Sequence, residues 1–294
     1  SRGLGDVYKR QKYNSICIPS KTNYKSSQMP ELAEVEYYRK QWQPAISQSI
    51  TGVYLNASKR VFRGVDSEAL KRDLVGEVFT DSSTHGKKMC FRFGTKHWLG
   101  VHLGMTGKTH IHEPGKTLDK HDHLVLYMSS GASLVFTDPR MFGRILYSNT
   151  KDKPSWWAML PPEILSTDFT LEYLSRFLER RSKSPIKAVL LMQETFPGVG
   201  NWMADEILWR SRIHPKSKAG NLSKHKLKEL YHRIREVSSD ALKVIGTDWS
   251  TPPDHWLFNH RWKNGGTCPQ TGAPLKREQI GGRTTCWSPK WQRL

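Results

Sequence analysis

The chain has 294 residues, enough for about two domains at roughly 100–200 residues each, and enough to bury a core without disulfide staples. Lys and Arg number 46 against 27 Asp and Glu, a formal net charge of +19, and there are 11 Trp. That balance favours a polyanionic partner, nucleic acid ahead of a membrane surface. The longest apolar runs, such as Ala188–Met192, fall far short of the ~20 residues a spanning helix needs, which excludes a helical membrane span. No secretory signal pattern is visible, and four Cys are too sparse for a disulfide scaffold, so a reducing compartment is expected.

Residues 1–28 are polar and lack apolar periodicity, which predicts disorder. They carry a formal +5, so the remaining 266 residues keep +14 and the basic argument survives without them. Asp6–Gln11 reads DVYKRQ, which resembles a translated sequencing adapter. The segment is therefore read as a spurious extension, with translation starting at Met29; the alternative is a genuine basic tail or targeting extension. From Met29 onward, Leu32, Val35, Tyr38, Trp42 and Ile46 define one apolar helix face. Pro30 suits the first helical position, and Glu31, Glu34 and Glu36 suit the positive end of the helix. Six β-branched or aromatic runs follow: Thr51–Leu55, Met89–Phe93, Trp98–Leu103, His123–Met128, Ser133–Thr137 and Arg144–Tyr147. Short strands at that spacing predict a sandwich or barrel.

The pattern turns helical after Pro161–Pro162. Leu171, Leu174, Phe177 and Leu178 have helical spacing, as do Ile186, Val189 and Leu190, then Met203, Ile207 and Leu208. The longest helix is expected over Leu227–Ile245, capped by Ser223 and ended by Gly246. The tail from about His260 reads as a hairpin, and no internal repeat is present. The expected class is α+β and multidomain: a leading helix on a β-sandwich over 29–160, a helical domain over 161–259 and a hairpin over 260–294.

Four stretches carry chemistry in combination. They are MPELAEVE (Met29–Glu36), HLGMTG (His102–Gly107), KHDH with TDPRMFG (Lys120–His123, Thr137–Gly143) and PGVGNWMADEILWRSRIHP (Pro197–Pro215). In this order they resemble the Fpg/Nei family, the formamidopyrimidine-DNA glycosylases, from Met29 to the end of the chain, and the first motif is closer to the Fpg branch. Ala33 departs from that motif's usual Pro. The resemblance implies a helix–two-turn–helix domain, duplex DNA containing oxidised bases or abasic sites as partner, no membrane, no cofactor and a monomer. It also implies a cytoplasmic, nucleoid-associated enzyme if bacterial, or a nuclear or organellar one if eukaryotic.

Pro30 is the implied nucleophile. Freed by removal of Met29, its secondary amine would attack a sugar carbon and become an iminium; left attached to Gln28–Met29, it is acylated and inert. Without the motifs it would be read as a helix-start proline. Glu31 is the implied acid/base, Glu34 a second carboxylate, and Lys87 of HGKK a contact to the phosphate beside the lesion. Lys88, one register off, is the less favoured choice. Met105, Arg140 and Phe142 are the implied wedge that fills the gap left by an extruded nucleotide. Met141 stands where relatives often carry another Arg. His121, Lys187, Asn201 and Arg283 are implied phosphate contacts, and the N–H groups that start the helix after PGVGN are expected to favour phosphate. A metal on His121 and His123 is disfavoured. The family's zinc hairpin has two C-x2-C pairs, but the matching positions here are Cys268, Thr271, Cys286 and Pro289. With two ligands missing, the expected finger is zincless and held by packing of Trp287 and Trp291. Rescue by His255 or His260, or a Cys268–Cys286 disulfide, is disfavoured. Bifunctional excision of oxidised purines with β,δ-elimination is the implied activity; a Nei-like preference for oxidised pyrimidines and a silent DNA-binding paralogue are the alternatives.

Overall fold

The structure is a computed structural model describing residues 29–294, so the expectations for residues 1–28 lie outside the described residues. Helix α1 (Leu32–Gln41) leads. It stops short of the expected Ile46 because Gln43–Ala45 tightens into a 3-10 turn containing Pro44, which lacks the N–H a helical ladder needs. Trp42 stays fully buried, and its indole N–H donates to the His110 carbonyl at 3.1 Å. Glu31 is the N-cap, so Pro30 lies outside the helix rather than at its first position.

Eight strands follow: β1 (Ile50–Leu55), β2 (Phe79–His85), β3 (Lys88–Phe93), β4 (His97–His102), β5 (Lys108–His112), β6 (Asp122–Met128), β7 (Ser133–Thr137) and β8 (Arg144–Asn149). They form two antiparallel sheets, ordered β1-β6-β7-β5 and β2-β3-β4-β8. Phe79, Phe91, Phe93, Leu99 and Val101 face Leu124, Leu126, Leu134 and Phe136 across one core, the expected sandwich. The six expected strands are present with small shifts at their ends. Strands β2 and β5, unforeseen in the sequence, are both sheet edges. An edge strand can carry little apolar patterning; β2 reads FTDSSTH and fully buries only Phe79. Helix α2 (Ser67–Leu74) escaped detection for a similar reason, burying only Leu70 and Leu74.

Helix α3 (Ser155–Ala158) lies against the sandwich, its Trp156 ring over Gly100 and its indole N–H bonded to Ser148 Oγ at 2.9 Å. The second core draws on α4 (Leu171–Arg180), α5 (Ile186–Leu190), α6 (Asn201–Arg210) and α7 (Lys224–Asp248), and a hairpin of β9 (Lys276–Ile280) with β10 (Arg283–Trp287) follows. Ser223 caps α7 by accepting from the Lys226 N–H at 3.2 Å. Gly246 does not end it. The helix runs to Asp248 and closes on Trp249 in the left-handed conformation, φ 62°. Gly246 instead marks where α7 crosses α1: a Cβ there would sit 3.4 Å from the Ala33 carbonyl. Helix α1 joins both cores, with Ala33 in the helical one and Val35 and Trp42 in the sandwich.

Asp205 fastens the helical core to the hairpin. Fully enclosed, it accepts from Lys187 Nζ at 2.5 Å, Arg261 Nη2 at 2.7 Å and the Cys286 N–H at 2.9 Å. Asp205→Ala leaves two buried cations without their carboxylate, which should destabilise the fold by about 3–5 kcal/mol. Urea unfolding checks this: a lowered midpoint is expected, and an unchanged one contradicts the assignment.

Candidate active site

Three segments converge where α1 begins. The Leu32 N–H donates to the Gly198 carbonyl at 3.0 Å. The β2–β3 turn packs directly on the PGVGN turn: a Cβ on Gly86 would lie 2.7 Å from the Gly198 nitrogen. Gly86 (φ 58°) and Gly198 (φ 90°) both need the left-handed conformation as well as this closeness. Glu31 completes the junction. Its buried carboxylate accepts from the N–H groups of Gly200 (2.9 Å), Trp202 (2.9 Å) and Met203 (3.1 Å), which are orphan donors at the start of α6. A Cβ on Gly200 would come within 2.2 Å of Glu31 Cδ. The expectation that these N–H groups serve a phosphate is therefore overturned: the anion at this helix start is the protein's own carboxylate.

Glu34 lies one turn along α1, accepting from Trp202 Nε1 at 3.0 Å and from the Glu31 N–H at 3.2 Å. Burial, then the neighbouring Glu31 charge, pushes Glu34 up to about 7. Burial also raises Glu31, against the opposing pull of Lys87 and the bonded N–H groups. Lys87, half-buried at the β2–β3 turn, is lowered by burial while Glu31 and Glu34 pull it back and Arg283 pushes it down. Pro30 directly precedes Glu31, so Pro30, Glu31, Glu34, Lys87 and Arg283 gather at one place, as the resemblance implies. Arg283 is exposed beside a hairpin turn whose Gly281 packs on Ala188 of α5.

The implied wedge residues also meet. Asp138, fully buried, accepts from Thr106 Oγ1 (2.7 Å) and the Gly143 N–H (2.7 Å), tying the HLGMTG and DPRMFG loops together. A Cβ on Gly104 would lie 2.5 Å from the Gly143 nitrogen. Phe142 is 44% exposed, with the Arg140 guanidinium 4.7 Å from its ring centre. Met105 is half-exposed on the joined loop, and Met141 takes the left-handed conformation, φ 54°. The His121 carbonyl accepts from the Asp138 N–H at 3.1 Å, and the His123 ring bonds the Asp138 carbonyl at 2.9 Å. His123 is buried, and His121 precedes the strand, half-exposed. Asp138 was legible only as a motif letter; its role depends on contacts between loops far apart in the chain.

One implied phosphate contact differs from expectation. Lys187 is fully buried, its ammonium held by Asp205 and the Asn201 carbonyl at 2.8 Å. It braces α6 and cannot reach a phosphate. Asn201 Nδ2 donates to the Thr284 carbonyl at 2.9 Å, linking the start of α6 to the hairpin.

The hairpin's residues do not fit a zinc ion. Cys268 and Cys286 are buried free thiols, while Thr271 and Pro289 offer no thiolate. Burial pushes Cys286 up to about 12, further raised by Asp205. Cys268 Sγ accepts from Trp209 Nε1 at 3.4 Å, and its turn closes through the Cys268 N–H on the Ala273 carbonyl at 2.8 Å. Among the described residues no three His, Cys, Asp or Glu converge as a metal site. Packing takes over, as expected of the two tryptophans. Trp291 joins the Trp209–Leu257–Cys268 cluster and donates to the Trp209 carbonyl at 3.0 Å; Trp287 is buried edge-on to His214.

This architecture has close counterparts. The family model for the formamidopyrimidine-DNA glycosylase N-terminal domain matches residues 29–145, and that for the family's H2TH domain matches 160–252. The formamidopyrimidine-DNA glycosylase of Lactobacillus helveticus is 32% identical over 90% of this chain and 99% of its own length. That of Symbiobacterium thermophilum is 33% identical over 90% of this chain and 89% of its own. A crystal structure of Lactococcus lactis Fpg with DNA containing an abasic site superposes with a TM-score of 0.80 at 28% identity, covering 90% of this chain and all of that one. The class defined by this fold and site is a two-lobed, helix–two-turn–helix glycosylase. The chain belongs to the formamidopyrimidine-DNA glycosylase family.

The raised carboxyls make a stability prediction. Glu34 titrates near 7 when folded against an ordinary 4.5, so the folded state holds a proton the unfolded chain loses. Its contribution is complete below about pH 4.5 and drains away as pH rises through about 7, and Glu31 acts with the same sign. The urea midpoint should fall between about pH 5 and about pH 8, and Glu34→Gln should flatten that fall. Identical pH slopes in both proteins contradict it.

Proposed function

We propose that this chain is a bifunctional DNA glycosylase and AP lyase acting on oxidised purines, 8-oxoguanine and formamidopyrimidines, in base excision repair. The observation that carries the reading is the junction itself. Pro30 stands beside a buried Glu31 carboxyl that faces Lys87, at the meeting point of both lobes. Solved structures of the family support the substrate class: one is described as holding DNA with a carbocyclic 8-oxo-G, another DNA with FAPY-dG.

Cleavage of the Met29–Pro30 bond frees the secondary amine. The amine attacks sugar C1′, the C1′–base bond breaks, and the base leaves with the bonding pair and takes up a proton. Loss of the ammonium proton and opening of the C1′–O4′ bond then give an iminium, with Glu31 supplying the proton to O4′. The iminium acidifies C2′; proton loss there expels the 3′ phosphate, and a second elimination expels the 5′ phosphate. Lys87 and Arg283 supply positive charge for the flanking phosphates. The Met105, Arg140 and Phe142 loops fill the stack once the nucleotide is extruded.

Borohydride trapping on an 8-oxoguanine duplex tests the proposal with two proteins, one beginning at Pro30 and one carrying all 294 residues. A covalent adduct is expected only with the first. Binding without an adduct in either overturns the purine lyase reading. An adduct formed only on an oxidised-pyrimidine duplex moves the substrate class to the Nei-like alternative.

A further inference from the structure

Helix α6 leads away from the Glu31 junction for 10 residues, about 15 Å at 1.5 Å per residue. At its far end lies a cavity of about 490 Å³, between the Trp209–Arg212 turn, the first turns of α7, Gln270 of the Cys268 turn and Trp291. None of the residues that meet at the junction lines it. The volume falls within the ~300–1,000 Å³ of small-molecule sites and far exceeds a lone phosphate ion.

The lining holds cations that the protein does not neutralise. Among the described residues, neither Arg212 nor Lys226 forms an ion pair with a carboxylate. Lys226 Nζ donates to the Ser211 and Arg212 carbonyls at 3.0 and 3.2 Å, which uses two of its three protons. The exposed Arg212 stacks on Trp291, its guanidinium carbon 3.7 Å from the ring centre. Its backbone is unusual. The Ile213 N–H closes α6 on the Leu208 carbonyl at 3.0 Å, a helix ending whose left-handed position normally belongs to glycine. Arg212 occupies that position, φ 52°, so strain is accepted where a guanidinium borders the cavity. Arg210 adds an independent sign. Its side chain is 10% exposed; Nε bonds Glu206 and Nη1 bonds Glu236 and Asp240, while Nη2 has no partner among the described residues. An unsatisfied buried donor on a cavity lining points to an acceptor from outside the chain.

The remaining lining is of another kind. Trp209 and Trp291 spend their indole N–H groups on Cys268 Sγ and the Trp209 carbonyl, so ring carbon is what they contribute. Glu229 accepts from Arg233 through Oε1 at 2.7 Å, and its Oε2 remains an acceptor. Cations, aromatic carbon and one acceptor together match a phosphate joined to a flat ring that carries an N–H group.

We infer that this cavity is a second ligand site, which takes a small phosphate-bearing molecule of nucleotide size. The phosphate lies on Arg212 and Lys226 beside His225, and the ring lies against the tryptophans with an N–H toward Glu229. The inference goes beyond the DNA reading and does not depend on it, because the cavity and the junction occupy opposite ends of α6.

The test is calorimetric titration of the full chain with dAMP, deoxyadenosine and inorganic phosphate, with tryptophan fluorescence as a second readout. Saturable one-to-one binding of dAMP is expected, with the nucleoside and inorganic phosphate each about tenfold weaker or more. Arg212→Gln and Lys226→Gln should each weaken dAMP about tenfold. Arg212→Gly suits the left-handed turn, so it should keep the urea midpoint and still lose the affinity, which separates binding from folding. Lys228→Gln, on α7 but outside the cavity, should bind as wild type. A duplex carrying an uncleavable abasic analogue should leave dAMP affinity unchanged. Absence of saturable dAMP binding, equal binding of inorganic phosphate, or wild-type affinity in Arg212→Gly each overturns the site. Loss of dAMP binding when the duplex is present also overturns it, since the nucleotide then occupies the DNA cleft.

Discussion

One carboxylate sets the geometry on which the rest depends. Glu31 begins α1 and at the same time terminates the hydrogen-bond vacancy at the start of α6, more than 160 residues later in the chain. Three backbone donors and a helix dipole converge on it, so the first residues of α1 are held against the helical lobe while Val35 and Trp42 are held in the sandwich. Because Pro30 is fused to this clamp, its nitrogen has little freedom of position. Lys87 arrives through the Gly86–Gly198 contact, which tolerates no side chain on either residue. Three glycines and one carboxylate thus determine where the chemistry happens.

The chain distributes its charge by sign. Glu31, Glu34, Asp138, Asp205 and Glu206 are all buried, each bonded to groups from another segment. Acidic side chains are spent as internal fasteners, where paired backbone N–H groups and cations offset their desolvation. Many cations stay near the surface without carboxylates beside them. A net charge of +19 is therefore more than a bulk property: the interior removes acids from the surface and leaves Lys87 and Arg283 as positive charges at the junction. Lys187 and Arg261 are exceptions, cations drawn inside by Asp205.

Much of this was readable beforehand, for identifiable reasons. Apolar period marked α1, α7 and the inner strands because core burial imposes it. The edges β2 and β5 carry polar sequences and gave no such sign. Motif spacing located Pro30 and Glu31, which lie at the junction, and Met105 and Phe142, whose loops are joined to each other through Asp138. It could not show that Glu31 consumes the α6 donors, or that Lys187 is sealed inside, because both facts depend on which distant segment lies opposite. Asp205 had a faint signal, a charged residue within an apolar helical stretch, MADEILW. The hairpin keeps its turn without four metal ligands because Trp209, Trp287, Trp291 and Gln292 supply packing and bonds, including Gln292 Nε2 to the Ile213 carbonyl at 2.9 Å.

The central claim is that the Glu31 carboxylate locks the two lobes together and thereby fixes Pro30. Amide hydrogen exchange tests it directly, comparing the wild-type protein with Glu31→Gln. The account predicts that the Gly200, Trp202 and Met203 amides exchange slowly in the wild type and lose that protection in the variant, while the Met89–Phe93 strand keeps its own. Unchanged protection of those three amides in Glu31→Gln would contradict it.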